Sequence, residues 1–206
     1  MKPLGGADVA RLVTLAAIWG ASFYFFRILA PVLGPVATAA SRVIIGGLAL
    51  VAWLRIIGFD AELARHGRHY AVIGVVNSAI PFVLFAWAAL TLPASYSAIL
   101  NATAPLFSAV LGAIWLGERF TVRKFAGLAV GMAGVALVTR AGPVVVDARV
   151  LLATGACLAA TFCYAATGVY IKRCAAAAPP RGIAAYSQLA PSTVLKSGAV
   201  ALRIAE

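Results

Sequence analysis

The chain is dominated by apolar runs too long for the core of a water-soluble domain. Residues 12–29, 35–57, 70–90, 94–116, 125–139 and 150–171 each form one such run. A helix that crosses a bilayer needs about 20 mostly apolar residues; the fifth run is short at its core, and Val122 extends it. The runs do not alternate apolar and polar positions, which excludes half-buried strands. Backbone inside lipid must satisfy its hydrogen bonds within a helix or a closed barrel. Composition agrees: 63% of residues are hydrophobic and 11% charged, against about 45–50% and about 25% in soluble domains. The expected fold is all-α, a polytopic transmembrane helix bundle with six firm spans. A seventh segment, residues 183–204, is marginal, because Lys196 falls near its centre and Gln188, Pro191, Ser192 and Thr193 add polarity.

The breaks between runs are short. Pro31, Gly34 and Pro35 separate the first two, Pro93 the third and fourth, Gly142 and Pro143 the fifth and sixth. Consecutive helices should therefore be antiparallel neighbours. The first run, with Lys2 and Arg11 ahead of it, resembles a signal peptide. No suitable cleavage site closes it, Arg27 follows, and further spans come after, so it reads as a retained helix.

The net charge of +11 is distributed by link. Lys2, Arg11, Arg55, Arg65, Arg68, Arg119, Arg123, Lys124, Lys172, Arg173 and Arg181 fall on one side of the alternating topology; the opposite links hold only Arg140 and Arg149. Cationic loops stay in the cytoplasm, which places the N-terminus there. This sorting explains the charge without nucleic acid, for which no basic-aromatic groove motif is present. His66 and His69 sit beside Arg65 and Arg68 in the second link and read as part of a solvated cytoplasmic loop. Cys157, Cys163 and Cys174 read as small buried thiols, since Cys157 and Cys163 do not share a helix face and no histidine accompanies them.

A few residues inside the spans have chemical potential. Pro105 removes a backbone donor from the fourth helix and leaves a carbonyl unpaired. Such a break is tolerated in a membrane only against protein or a wet cavity. Asn101 lies one turn before it, and Ala94, Ala98, Ala102 and Ala109 permit close helix approach. This helix should line an interior, with Asn101 serving either a substrate or packing. Arg42 lies seven residues beyond Pro35, about 10 Å along the helix at 1.5 Å per residue. No acidic residue occurs within any span to pair it. Two readings stand: Arg42 faces a wet cavity and meets an anionic substrate group, or it snorkels to headgroups or binds carbonyls. Trp19, Phe23, Trp87 and Tyr96 are aromatic candidates for a cavity wall or for helix packing, and Asn77 and Ser78 place polar groups within the third span. Gly127, Gly131 and Gly134 let the fifth helix pack closely. Glu118, at the membrane edge near Arg119, Arg123 and Lys124, should cap or pair at the turn into the fifth helix, with Thr121 as that helix's N-cap.

"LVTLAAIWGASFY" at residues 12–24 aligns with "LLATGACLAATFC" at residues 151–163, with Ser22 opposite Thr161. Five helices precede the second copy, and an odd number of crossings inverts it, as in many transporters with a substrate site near the midplane. "AAIWGASFYFFRIL", "ASRVIIGGLAL" and above all "TLPASYSAILNATAPLFSAVLGAIWLGERFTVRKFAGLAVGMAGVALV" resemble EamA-type proteins of the drug/metabolite transporter superfamily. The resemblance covers roughly residues 10–175. It implies a bacterial inner-membrane protein of ten helices in two five-helix repeats, moving small metabolites or drugs by alternating access. On that pattern the first repeat is 1–142, and 143–206 begins a second that is incomplete. The expected partners are the lipid bilayer and a small-molecule substrate. The remaining wall would come from the missing second-repeat helices or a homodimer, and as it stands the chain is expected to be inactive or partner-dependent. No phosphate-cradling loop, metal set or nucleophile–base pair lies at membrane depth, so no cofactor and no enzyme activity are expected. The alternatives are an intramembrane enzyme and a non-transporting membrane assembly protein.

Overall fold

A computed structural model describes residues 5–118, 121–139 and 147–189. The described residues are helical, joined by short links, with no strand. In chain order the helices are α1 (Gly6–Leu33), α2 (Pro35–Ile56), α3 (Leu63–Ala88), α4 (Ala94–Leu116), α5 (Val122–Thr139), α6 (Ala148–Cys174) and α7 (Pro180–Leu189). Among them α1, α2, α3, α4 and α6 are long and apolar enough to cross a membrane. The fifth expected span is α5, whose 18 residues rise about 27 Å, close to the hydrocarbon thickness. The marginal seventh segment lies within the described residues only as far as Leu189, in α7.

Local chemistry sets the helix ends. Asp8 accepts from the Gly5 N–H at 3.3 Å at the start of α1, and Asp147 caps α6 through the Val150 N–H at 2.8 Å. A single residue, Gly34, reverses the chain between α1 and α2 at φ +78°, a conformation that a Cβ would strain. Gly117 ends α4 at φ +65°, and the Glu118 N–H then reaches back to the Gly112 carbonyl at 3.1 Å. Arg27, near the C-terminal end of α1, donates to the carbonyls of Ala89 and Leu90 at 2.6 and 3.1 Å. Those carbonyls are left over at the end of α3, where a cation also complements the helix dipole.

Two spans are broken by proline. In α3, Pro81 has no N–H and would crowd the carbonyl of Asn77 in a regular helix. The helix widens into a π turn over Val75–Ala79, with the Ile80 N–H returning to Val75. In α4 the helix stops after Asn101 and restarts at Ala104, with Pro105 in the first turn of the second half. The Thr103 hydroxyl donates to the Leu100 carbonyl at 2.6 Å in that gap and lies 3.3 Å from the Thr161 hydroxyl of α6.

Helix α6 packs between α3 and α4 and presents small buried residues, Ala153, Cys157 and Ala160, to Phe23, Phe26, Phe85 and Leu92. Small residues let backbones approach, which is the main source of helix association where lipid is as apolar as the core. At the end that carries most of the cationic links, α7 folds back onto α2 and α3. Glu118 at the end of α4 forms an ion pair with Lys172 of α6 at 2.6 Å, a longer-range partner than the neighbouring turn offered in the sequence.

The histidine reading needs correction. His66 and His69 belong to the first turns of α3, which starts at Leu63, well before the apolar run. His66 is buried, 3.7 Å from a Glu62 oxygen, and His69 Nδ1 shares a hydrogen bond with the Tyr170 hydroxyl at 2.9 Å. The helix extends past the membrane run because its first turns are amphipathic: His66, Tyr70 and Ile73 bury one face while Arg65 and Arg68 stay outside. The cysteine reading holds for Cys157, which is buried; Cys163 is half-buried and Cys174 exposed, and all three are free thiols.

Candidate functional site

Five helices converge on one cleft lined by Trp19, Ser22, Phe23, Phe26, Arg42, Phe82, Phe85, Asn101 and Tyr164. On α1 the spacing is helical: Trp19, Ser22, Phe23 and Phe26 fall on one face at i, i+3, i+4 and i+7. Arg42 comes from α2, Phe82 and Phe85 from α3 just beyond the π turn, Asn101 from the break in α4, and Tyr164 from α6. Of the residues expected from sequence, Trp19, Phe23, Arg42 and Asn101 meet here. Asn77 lies in the π turn, part-buried and outside the cleft; Trp87 is exposed on the outer surface; Tyr96 packs against the main core; Pro105 is exposed and touches the site only through the break it causes.

Arg42 does not snorkel. Its guanidinium carbon sits 4.5 Å from the Phe82 ring centre and 5.3 Å from that of Phe26. A desolvated cation over an aromatic face gains ~2 kcal/mol, while an arginine at a helix centre costs about 2.5–3.5 kcal/mol on insertion scales. Two such contacts are together of the same size as the cost of holding this charge inside the bundle. Among the described residues no carboxylate pairs with Arg42 and no acceptor takes its N–H groups. The Asn101 Oδ1 is buried and likewise without a hydrogen-bond partner among the described residues. Leaving a buried polar atom unpaired costs ~1–3 kcal/mol; His66 Nε2 and Ser78 Oγ are unpaired likewise, and Asn101 is the one of the three that borders the cleft.

The rest of the wall is aromatic. Phe23 meets Phe85 edge-on at 5.3 Å; Tyr164 stacks on Phe85 at 6.2 Å and 23°, and lies 6.4 Å from Trp19. Trp19 is half exposed at the mouth. In this conformation the cleft encloses about 20 Å³, room for about one water molecule. A ligand must therefore displace Trp19 or part the helices to enter. Ser22 and Phe26 were legible as neighbours of Trp19 and Phe23 on one α1 face. Phe82, Phe85 and Tyr164 had no signal that distinguished them from other aromatic residues in apolar runs.

A second groove, about 350 Å³, lies between α3, the end of α4 and the last turns of α6, lined by Val72, Ile73, Val76, Trp115, Val169 and Tyr170 among others. Its walls are almost wholly apolar. Ligand sites combine an apolar body with a few convergent polar groups; Thr167, Tyr170 and Arg173 also border this groove, but the unpaired Arg42 and Asn101 belong to the smaller cleft.

A model of the EamA-like transporter family matches residues 9–140. The chain is similar to a probable terminal-alkyne amino-acid exporter of Streptantibioticus cattleyicolor, 31% identical over 134 residues, covering 65% of this chain and 45% of that protein. It is similar to the uncharacterized inner membrane transporter YedA of Escherichia coli K12, 28% identical over 143 residues, covering 69% and 45%. It also resembles the uncharacterized transporter YvbV of Bacillus subtilis, 29% identical, covering 69% and 47%. The chain thus spans about half the length of the curated relatives it matches. No solved structure matches it.

Proposed function

The chain belongs to the EamA-like transporter family, and on that premise we propose that it forms the substrate-facing half of a secondary transporter for small organic molecules. The observation that carries this reading is the cleft itself: an unpaired Arg42 and an unpaired Asn101 acceptor held among aromatic faces, within helices that cross the membrane. Arg42 would meet an anionic group of the substrate, and the aromatic wall its apolar body. The Streptantibioticus relative, a probable terminal-alkyne amino-acid exporter, is named for a substrate compatible with that size and polarity.

The working cycle would be alternating access, with two five-helix repeats rocking about the cleft. Residues 1–142 would be the first repeat and 143–206 the start of the second. The far wall of the cleft would come from further second-repeat helices, on the same polypeptide or on a partner that includes a second copy of this chain. The location would be a bacterial inner membrane, as the Escherichia coli relative is named, with the N-terminus in the cytoplasm.

Transport is tested in proteoliposomes. The 206-residue chain is compared with a version extended to two full repeats, using a substrate that the extended version moves. The expected result is movement by the extended form and none above the lipid background by the short one. Comparable rates from both would reject partner dependence and indicate that copies of the short chain complete the site. Orientation is tested separately with phosphatase and fluorescent reporters fused at Gly58, Pro93 and Arg123. Only the Pro93 fusion should be phosphatase-active; activity at Gly58 or Arg123 would reverse the topology.

A further inference from the structure

We propose that the apolar groove between α3, α4 and α6 seats one acyl chain of an anionic phospholipid, whose phosphate is held by Arg173 and Arg68 at the cationic end of the bundle.

The groove offers charge at one end only. On α6 it is lined by Ala166, Val169, Tyr170 and Arg173, at i, i+3, i+4 and i+7. It therefore runs about 10 Å inward from the last turns of that helix, at 1.5 Å per residue. Val72 and Val76 of α3 and Trp115 of α4 form the opposite side. Both hydroxyls along it are already engaged. Thr167 donates to the Cys163 carbonyl at 2.8 Å, and the Tyr170 hydroxyl shares its hydrogen bond with His69 Nδ1 at 2.9 Å. An apolar chain lying there leaves no polar group newly unpaired.

The end of the groove is different. Arg173 borders it and is exposed, and among the described residues no carboxylate pairs with it. Its neighbour Lys172 is neutralised by Glu118 at 2.6 Å. Arg68 stands one turn before Val72 on the same face of α3, is also exposed, and likewise has no carboxylate among the described residues. Two uncompensated guanidinium groups thus belong to the two helix faces that wall the groove. Trp115 is exposed at the same end, the position that an amphipathic ring takes at a membrane–water boundary.

The occupant that fits is an apolar chain with an anionic head. The groove opens on the outer side of the bundle, where Trp115 and Cys174 are exposed, and a membrane supplies lipid there. A guanidinium matches a pair of phosphate oxygens, and basic pockets between membrane helices bind anionic headgroups. A lipid whose headgroup also carries an ammonium brings the same chain without the net charge. A soluble phosphate brings the charge without the chain. Each cation near an anionic membrane surface is worth roughly fivefold in affinity.

The test compares phosphatidylglycerol with phosphatidylcholine of identical acyl chains. Each is titrated onto the purified 206-residue chain in detergent, and bound lipid is counted by native mass spectrometry. Phosphatidylglycerol is expected to be retained at least roughly fivefold more tightly. Arg173→Gln and Arg68→Gln should each weaken it by roughly fivefold while leaving phosphatidylcholine within about twofold. Ala166→Phe fills the groove and should weaken both lipids; Val76→Phe does so from the opposite wall, should the first variant fail to fold. Glycerol 1-phosphate should displace neither lipid. Equal retention of the two lipids, unchanged selectivity in the double arginine variant, or full retention in both phenylalanine variants overturns the proposal. Displacement by glycerol 1-phosphate would also overturn it, leaving a phosphate site without a chain. The form extended to two full repeats is measured in the same way. Loss of the preference there would assign the groove to a seam with second-repeat helices and reject the lipid.

Discussion

Replacing Arg42 with glutamine should lower substrate movement by the two-repeat form by roughly 30-fold or more, without loss of membrane insertion. The size follows from removing one partner of a buried charge pair, which costs about 2–5 kcal/mol and hence at least that factor. The preserved insertion follows from the opposite side of the balance. A glutamine no longer carries the ~2.5–3.5 kcal/mol cost of a cation at membrane depth, so giving up the two ring contacts is not destabilising. Arg42→Lys should be intermediate. It retains the charge but not the planar group that packs on the Phe26 and Phe82 rings. The measurement is the initial rate in proteoliposomes, normalised to inserted protein. A companion variant, Arg42→Cys, should react with a small polar maleimide in intact cells, and a cysteine at the exposed, lipid-side Leu48 should react less. Rates equal to the parent in Arg42→Gln would remove Arg42 from the substrate path.

The largest stability effect is expected at Tyr70. Its ring is 1% exposed, it stacks on Tyr186 of α7 at 6.0 Å and 22°, and its hydroxyl donates to the Ala61 carbonyl at 2.8 Å. Tyr70→Ala removes a buried aromatic and should cost about 3–5 kcal/mol, the range for large aromatic truncations. Helix α7 fits against this ring because residue 182 is glycine: a Cβ there would overlap the Tyr70 hydroxyl and come within 2.9 Å of the ring carbon that bears it. Gly182→Ala should therefore cost ~1–3 kcal/mol through overpacking. Tyr70→Phe alone should cost ~1 kcal/mol, from the donor lost by the Ala61 carbonyl. The double variant should cost less than the sum, because removing the hydroxyl opens the space that the alanine needs; such coupling marks residues in contact. Thermal unfolding of the purified chain, followed by the loss of its monodisperse chromatographic peak, gives all four values. Additive behaviour, or a Gly182→Ala chain as stable as the parent, would separate α7 from Tyr70.

The mix of right and wrong expectations has a physical pattern. Span number and position depend on length and mean hydropathy, which are properties of consecutive residues and so can be read along the chain. The breaks at Pro81 and Pro105 are equally local, since a missing N–H acts within one turn. The amphipathic start of α3 is written in the same local periodicity: His66, Tyr70 and Ile73 repeat at helical spacing ahead of the apolar run.

The sequence by itself determined that this chain is a membrane helix bundle, where its apolar spans fall, and that Arg42 had no acidic partner within any span. Only the tertiary structure decided what Arg42 meets instead, that Phe82, Phe85 and Tyr164 join Trp19, Phe23 and Asn101 in one cleft, that Arg27 closes the end of α3, and that Lys172 reaches Glu118. The reason lies in the solvent. A helix in water must turn its polar side outward and so records its buried face in the sequence. Helices such as α1 and α6 are apolar nearly all round, because lipid accepts the same residues as the core does. Their inward faces are chosen by shape, by small residues that allow approach and rings that fill the space left. Shape is settled only when the helices meet.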